Sequence, residues 1–161
     1  MPYAMFHQYF PEIAKRETRS VTILPDSDYG LPAGSYGFLE MYCDEPDCDC
    51  RRVFFGVISE KTKRIEAYIT YGWESPAYYK EWLGFDDPYA ISDLMGPALN
   101  AGSPQSRLAP ALLNLVRETL LRDEDYIDRI KRHYLLSRGR IEDINNTTIV
   151  PRGKRKKMRN R

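Results

Sequence analysis

The hydrophobic pattern of the chain changes near Gly72 from the two-residue period of strands to the period of helices. Before this point, four segments rich in β-branched and aromatic residues alternate with turn residues, which is typical of antiparallel strands. These segments are 19–24, 36–43, 52–59 and 65–71. Because strands come first and helices second, the sequence predicts an α+β fold. We expect an antiparallel four-stranded meander with helices packed on one face.

About four helices are predicted after the strands. Ser75 followed by Pro76 is a typical helix start, and Asp123 can cap the last helix. That helix is expected to end at about Arg138, because Gly139 follows. A short helix could also begin at Pro11. The four helices are expected at about 76–83, 89–95, 107–120 and 124–138.

The chain length bounds the domain organisation. A chain of 161 residues with 42% hydrophobic residues can build one core without disulfides. The sequence predicts a single domain over 1–150 and a tail over 151–161. No stretch approaches the roughly 18 consecutive apolar residues of a membrane-spanning helix, and the first residues do not resemble a signal peptide. We therefore expect a soluble protein of the cytoplasm.

The charge is distributed unevenly along the chain. The last ten residues, RGKRKKMRNR, hold seven of the 24 Lys and Arg and none of the 23 Asp and Glu. Residues 1–151 therefore carry a net charge of −6, from 17 basic and 23 acidic side chains. A block of like charge repels itself, so the tail should order only against an anionic partner. RNA or a ribonucleoprotein is the expected partner. The expected nucleic-acid-binding residues are Arg152, Lys154, Arg155, Lys156, Lys157, Arg159 and Arg161.

The most specific chemical signal is the segment YCDEPDCDCRR, between the second and third predicted strands. It contains all the cysteines of the chain, Cys43, Cys48 and Cys50, among four acidic residues and a proline. Such polar surroundings do not suit small core residues, whereas thiolates in a hairpin loop can converge on one ion. Zinc prefers tetrahedral sulfur and nitrogen ligands, so the sequence predicts a zinc site.

Three sulfur ligands leave one position of a tetrahedral site to be filled. The chain has two histidines, His7 and His133. His7 is the favoured fourth ligand, because His133 fits a partly buried, hydrogen-bonded position on the last helix. An aspartate of the loop or a water molecule could also serve. A redox switch of Cys48 and Cys50 is an alternative function for the thiols.

An acidic and aromatic segment over 73–89 provides a second candidate interaction surface. Its aromatic residues either pack between sheet and helices or bind a protein partner. The flanking acids would repel a phosphate backbone, which favours a protein over a nucleic acid there. The alternative function is therefore that of a protein–protein adapter.

The sequence contains none of the common short motifs of enzymes. It lacks a phosphate-binding loop, a dinucleotide fingerprint, the H-E-x-x-H helix and the G-x-S-x-G elbow. This pattern favours a non-enzymatic role. The sequence thus predicts a zinc-stabilised α+β domain whose basic C-terminal arm binds RNA or a ribonucleoprotein.

Overall fold

Six antiparallel strands form one sheet in the computed structural model, which describes residues 3–159 and the side chains of residues 3–147. The strands are β1 Tyr3–Met5, β2 Ser20–Ile23, β3 Gly34–Cys43, β4 Arg52–Ser59, β5 Ile65–Gly72 and β6 Ala98–Leu99. The strand order is β1-β3-β4-β5-β6, and β2 also pairs with β3. The ten-residue β3 has room for both partners, since β1 pairs at its Cys43 end and β2 at its Gly34 end.

The predicted α+β class is confirmed, and the four predicted strands correspond to β2, β3, β4 and β5. The four-stranded meander was incomplete, because the sheet also contains β1 and β6. These strands have three and two residues. Strands this short do not produce a recognisable alternation in the sequence.

Six α-helices and one short 3-10 helix lie in the part of the chain that the structure describes. The helices are α1 Phe6–Tyr9, α2 Pro11–Glu17, α3 Pro76–Leu83, α4 Pro88–Met95, α5 Ala109–Glu118 and α6 Glu124–Arg159. Ser75 caps α3 by accepting the backbone N–H of Tyr78, as its position predicts. Gly84 ends α3 in the left-handed conformation, with φ of 81°. Within the described residues, no helix is long and apolar enough to cross a membrane.

The predicted end of the last helix near Arg138 was wrong, because α6 runs through Gly139. A glycine lowers helix stability but does not stop a helix that gains packing beyond it. Ile141 supplies such packing, since only 6% of it is exposed. The backbone of α6 continues into 151–159, whereas the side chains from 148 onward lie outside the described residues. The seven basic tail residues and the domain boundary at 150 stay predictions.

The main core lies between one face of the sheet and helices α5 and α6. Phe38, Phe55 and Ile69 of the sheet are fully buried there with Leu112 of α5 and Ile130 of α6. Burial of such side chains is the main favourable contribution to folding, at about 1.5–3 kcal/mol each.

The expectation that the helices cover only one face of the sheet was wrong. Arg52 alternates with the buried Val53 on β4 and therefore points away from the main core. Its Nε donates a hydrogen bond to the carbonyl oxygen of Leu94, at 3.0 Å. Helix α4 thus packs at the opposite face.

A buried histidine connects α2, β3 and α6. The Nδ1 atom of His133 lies 2.7 Å from Oε1 of Glu40, and its Nε2 atom lies 2.7 Å from Oε1 of Glu17. Each ring nitrogen thus has a carboxylate oxygen as its partner. Tyr42 also donates to Glu40, and the ring of Phe6 stacks on the imidazole. A buried hydrogen-bond network of this kind fixes α6 relative to the N-terminal helices and the sheet.

The ionised form of Glu17 is the form that stabilises the fold. Hydrogen bonds from Arg132 and His133 lower the pKa of Glu17 from 4.5 to about 2. A lowered pKa in the folded state gives stability above the unfolded-state pKa, and this stability is lost as the pH falls through the folded-state pKa.

We expect Glu17→Gln to lower the free energy of unfolding most above about pH 5, by an amount that shrinks between about pH 5 and pH 2. Urea denaturation of both proteins at several pH values measures this difference. Glu12→Gln, at an exposed position of the same helix, is the control. A difference between wild type and Glu17→Gln that is equal at pH 7 and pH 2 would show that the charge on Glu17 does not contribute.

Candidate metal centre

The loop between β3 and β4 brings all three cysteines of the chain together. Cys43 ends β3, and Cys48 and Cys50 follow in the loop. Their Sγ atoms lie within 4.8 Å of one another, and none of them forms a disulfide. Sulfur ligands of one tetrahedral zinc ion, each about 2.3 Å from the metal, lie about 3.8 Å apart. The cluster is therefore close to the geometry of a metal site.

Hydrogen bonds among the sulfurs divide the thiols into a donor and an acceptor set. The hydrogen bond from Cys50 lowers the pKa of Cys43 to about 6, and Arg138 adds a favourable charge. The same hydrogen bond, together with burial, raises the pKa of Cys50. Burial raises the pKa of Cys48. A thiolate at Cys43 that is held by neighbouring thiols is an anionic centre that suits a cation.

The loop turns sharply at two residues with positive φ. Asp47 has φ of 61°, a conformation that short polar side chains tolerate. Arg51 has φ of 49°, which is unusual for its residue type and is held by contacts on both sides. Tyr134 accepts the backbone N–H of Arg51, and Tyr79 donates to its carbonyl oxygen. The guanidinium of Arg51 also binds both carboxylate oxygens of Asp49.

Three side chains of α6 hold the loop from outside. They are Tyr134, Arg138 and Glu142, which follow one another at intervals of four residues. Residues at this spacing lie along one face of a helix. The Nη1 atom of Arg138 donates to the carbonyl oxygens of Cys48 and Glu45, at 2.6 and 2.9 Å.

The other two residues of this face bind the loop on either side of Arg138. Glu142 accepts the backbone N–H of Asp47 at 3.0 Å, and Tyr134 donates to Asp49 at 3.2 Å. The backbone between Cys43 and β4 is thus fixed at several points by one helix face.

Sequence reasoning missed these three residues, because it assigned Arg138 to the end of a helix. The four-residue spacing of a tyrosine, an arginine and a glutamate was the available signal. This spacing does not by itself identify the cysteine loop as the partner of the helix face, because the loop residues lie about 80–95 positions earlier in the chain.

The structure does not bring either histidine to the cluster. His7 is exposed on α1, and His133 is fully buried with both ring nitrogens bound to carboxylates. The sequence-based view of His133 as a hydrogen-bonded histidine is confirmed. Among the described side chains, no fourth Cys, His, Asp or Glu joins the three sulfurs.

The aromatic segment 73–89 divides between the interior and the surface. Tyr79 is fully buried, and Trp73 packs against Tyr134 beside the cysteine loop. Trp82, Phe85 and Tyr89 are exposed on and between α3 and α4. Packing therefore explains only part of this segment.

The fold and the cysteine cluster together define an α+β protein in which three cysteines are placed to hold a metal ion. Comparisons of the chain with family models, with curated proteins and with solved structures gave no significant match.

We expect Arg138→Met to weaken the affinity of the chain for Zn²⁺ by about 10–100-fold, because the loop loses its external support. Competition with a chelator measures this affinity. Arg140→Met is the matched control, since Arg140 contacts the ring of Tyr9 on α1. Equal affinities for the two variants would show that Arg138 does not position the ligands.

Proposed function

We propose that this chain is a non-enzymatic α+β domain that Zn²⁺ stabilises and whose basic C-terminal segment binds RNA or a ribonucleoprotein. The observation that carries the proposal is the convergence of Cys43, Cys48 and Cys50 within 4.8 Å without a disulfide. Sulfur ligands favour zinc over the hard cations magnesium and calcium.

Zinc would act on the stability of the fold through the loop between β3 and β4. Within the loop, the N–H of Cys48 donates to the carbonyl oxygen of Glu45 at 3.4 Å, and Arg51 binds Asp49. An unfolded chain cannot offer three sulfurs in one place, so the metal binds the folded form preferentially. The free energy of metal binding then adds to the free energy of unfolding.

The cytoplasm is the compartment that fits this site. Its reducing conditions keep thiols free to bind metal, whereas oxidising compartments favour disulfides. The three cysteines of the described structure are unpaired, which supports this part of the proposal.

We expect a strong chelator to lower the melting temperature of the zinc-loaded protein by roughly 5 °C or more, because the bound metal stabilises only the folded state. Metal analysis should find one zinc ion per chain. Cys48→Ser is the internal control, since its melting temperature should not respond to the chelator. A zinc-loaded wild type that melts at the same temperature with and without chelator would contradict the stabilising role.

The basic segment supports the second half of the proposal by its charge. Residues 152–161 hold seven basic and no acidic side chains, next to a body with a net charge of −6. Such a segment neutralises phosphates without reading bases, and flexible or irregular RNA offers many phosphates at variable spacing. The helical backbone of α6 leads directly into this segment.

We expect deletion of residues 152–161 to abolish RNA binding, because the phosphate contacts are lost. The full chain should lose affinity with salt at a log–log slope of roughly −4 to −6 if about five to seven contacts form. Fluorescence anisotropy with a labelled RNA at several salt concentrations measures both effects. A second variant, in which glutamine replaces the seven basic residues, keeps the chain length. The proposal fails if either variant binds RNA as the wild type does.

The exposed aromatic residues of α3 and α4 favour one further candidate function, that of a protein adapter. Trp82, Phe85 and Tyr89 are 44%, 56% and 86% exposed. Glu81 and Asp86 lie beside them, which suits a basic partner surface. A protein bound at this patch would still bind the chain that lacks residues 152–161, and this separates the two candidates.

A further inference from the structure

The cysteine cluster provides three of the four ligands that a tetrahedral metal ion needs. All three cysteines of the chain are used, and each sulfur can fill one position. The remaining position has no sulfur donor from a cysteine of this chain.

The strong nitrogen donors of the chain are also placed elsewhere. His7 is exposed on α1, outside the group that could hold the ion. His133 uses Nδ1 for Glu40 and Nε2 for Glu17, at 2.7 Å each. Releasing Nδ1 would take a hydrogen bond from Glu40, which is 4% exposed, and the loss of a hydrogen bond at a buried polar group is costly.

The carboxylate that lies between two of the cysteines in the sequence is committed to the loop itself. Asp49 lies between Cys48 and Cys50, and Arg51 binds both of its oxygens. Tyr134 donates to one of the same oxygens. Among the described residues, no carboxylate belongs to the group of converging ligand atoms.

We propose that a metal ion held by Cys43, Cys48 and Cys50 binds an exogenous thiol at its fourth position. This inference rests on the proposed metal site. A metal ion that binds three sulfur ligands is one that prefers soft ligands, so sulfur also suits its fourth position. As the metal–sulfur bond forms, the bound water leaves and the thiol gives its proton to the solvent.

The burial of the three cysteines indicates the side from which an exogenous thiol can reach the metal ion. Cys43 and Cys50 are 8% and 4% exposed, whereas Cys48 is half-buried. A cavity of about 410 Å³ lies beside the loop at Asp49, the neighbour of Cys48, and its lining combines the charged Arg51, Glu74 and Lys131 with Trp73, Tyr134 and Leu135. The approach to the cluster is therefore on the side of Cys48.

The charge around the loop selects among thiols. Asp44, Glu45, Asp47 and Asp49 surround the cysteines in the sequence. Both thiols bind as thiolates, and the acidic side chains repel the additional net negative charge that glutathione carries and mercaptoethanol lacks. We therefore expect mercaptoethanol, a neutral thiol, to bind roughly fivefold or more tightly than the anionic thiol glutathione.

Cobalt substitution of the full-length protein tests the inference. The Co²⁺ form is prepared without oxygen and with a phosphine reductant, so that no other thiol is present. Mercaptoethanol should increase the sulfur-to-cobalt charge-transfer absorption in a saturable way, because a fourth sulfur joins the ion. Ethylene glycol, which has a hydroxyl in place of the thiol, should leave the spectrum unchanged.

Three other outcomes would overturn the inference at different points. A cobalt spectrum that responds to neither thiol would overturn the inference, and a thiol response that appears in His7→Ala would identify His7 as the fourth ligand. A stronger response to glutathione than to mercaptoethanol would overturn the predicted preference for neutral thiols. A protein that takes up no cobalt would overturn the proposed metal site and this inference with it.

Discussion

The position of α6 depends on the buried imidazole of His133. Glu40 comes from the sheet and Glu17 from the N-terminal helices, and both carboxylates bind the same ring. A buried polar group that loses a hydrogen bond is costly, so a slide of α6 by one turn is opposed by the loss of the contact between His133 and Glu40. The network therefore sets the register of α6 along its axis. Hydrophobic contacts alone would tolerate small displacements, because burial is not directional.

The cysteine loop takes its shape from this register. Tyr134 follows His133 directly, and Arg138 and Glu142 continue the same helix face toward the loop. A loop that is fixed in this way loses less conformational entropy when it binds a ligand. The cysteine cluster and the histidine network thus share one rigid element. The same helix continues as the backbone that enters the basic segment, so the two halves of the proposed function are connected by α6.

Local signals in the sequence predicted the parts of the structure that local interactions determine. The four main strands, the cap at Ser75 and the placement of Cys48 and Cys50 in a hairpin loop depend on neighbouring residues, whereas Cys43 belongs to β3. The short strands β1 and β6 could not be predicted, because two or three residues carry no period. The hydrogen-bond partners of His133 and Arg138 could not be predicted either, because residues separated by 90 to 116 positions leave no local pattern in the sequence.

The chemistry of three thiolates favours binding over hydrolysis at this site. A zinc ion activates water by withdrawing electron density, and three anionic sulfurs oppose that withdrawal more than neutral imidazoles do. Hydrolysis also needs a general base near the bound water. The ring nitrogens of His133 are both engaged with carboxylates, and Asp49 is held by Arg51 and Tyr134. The same contacts that give the loop its shape therefore engage these two groups, which supports the structural or ligand-binding role proposed for the cysteine cluster.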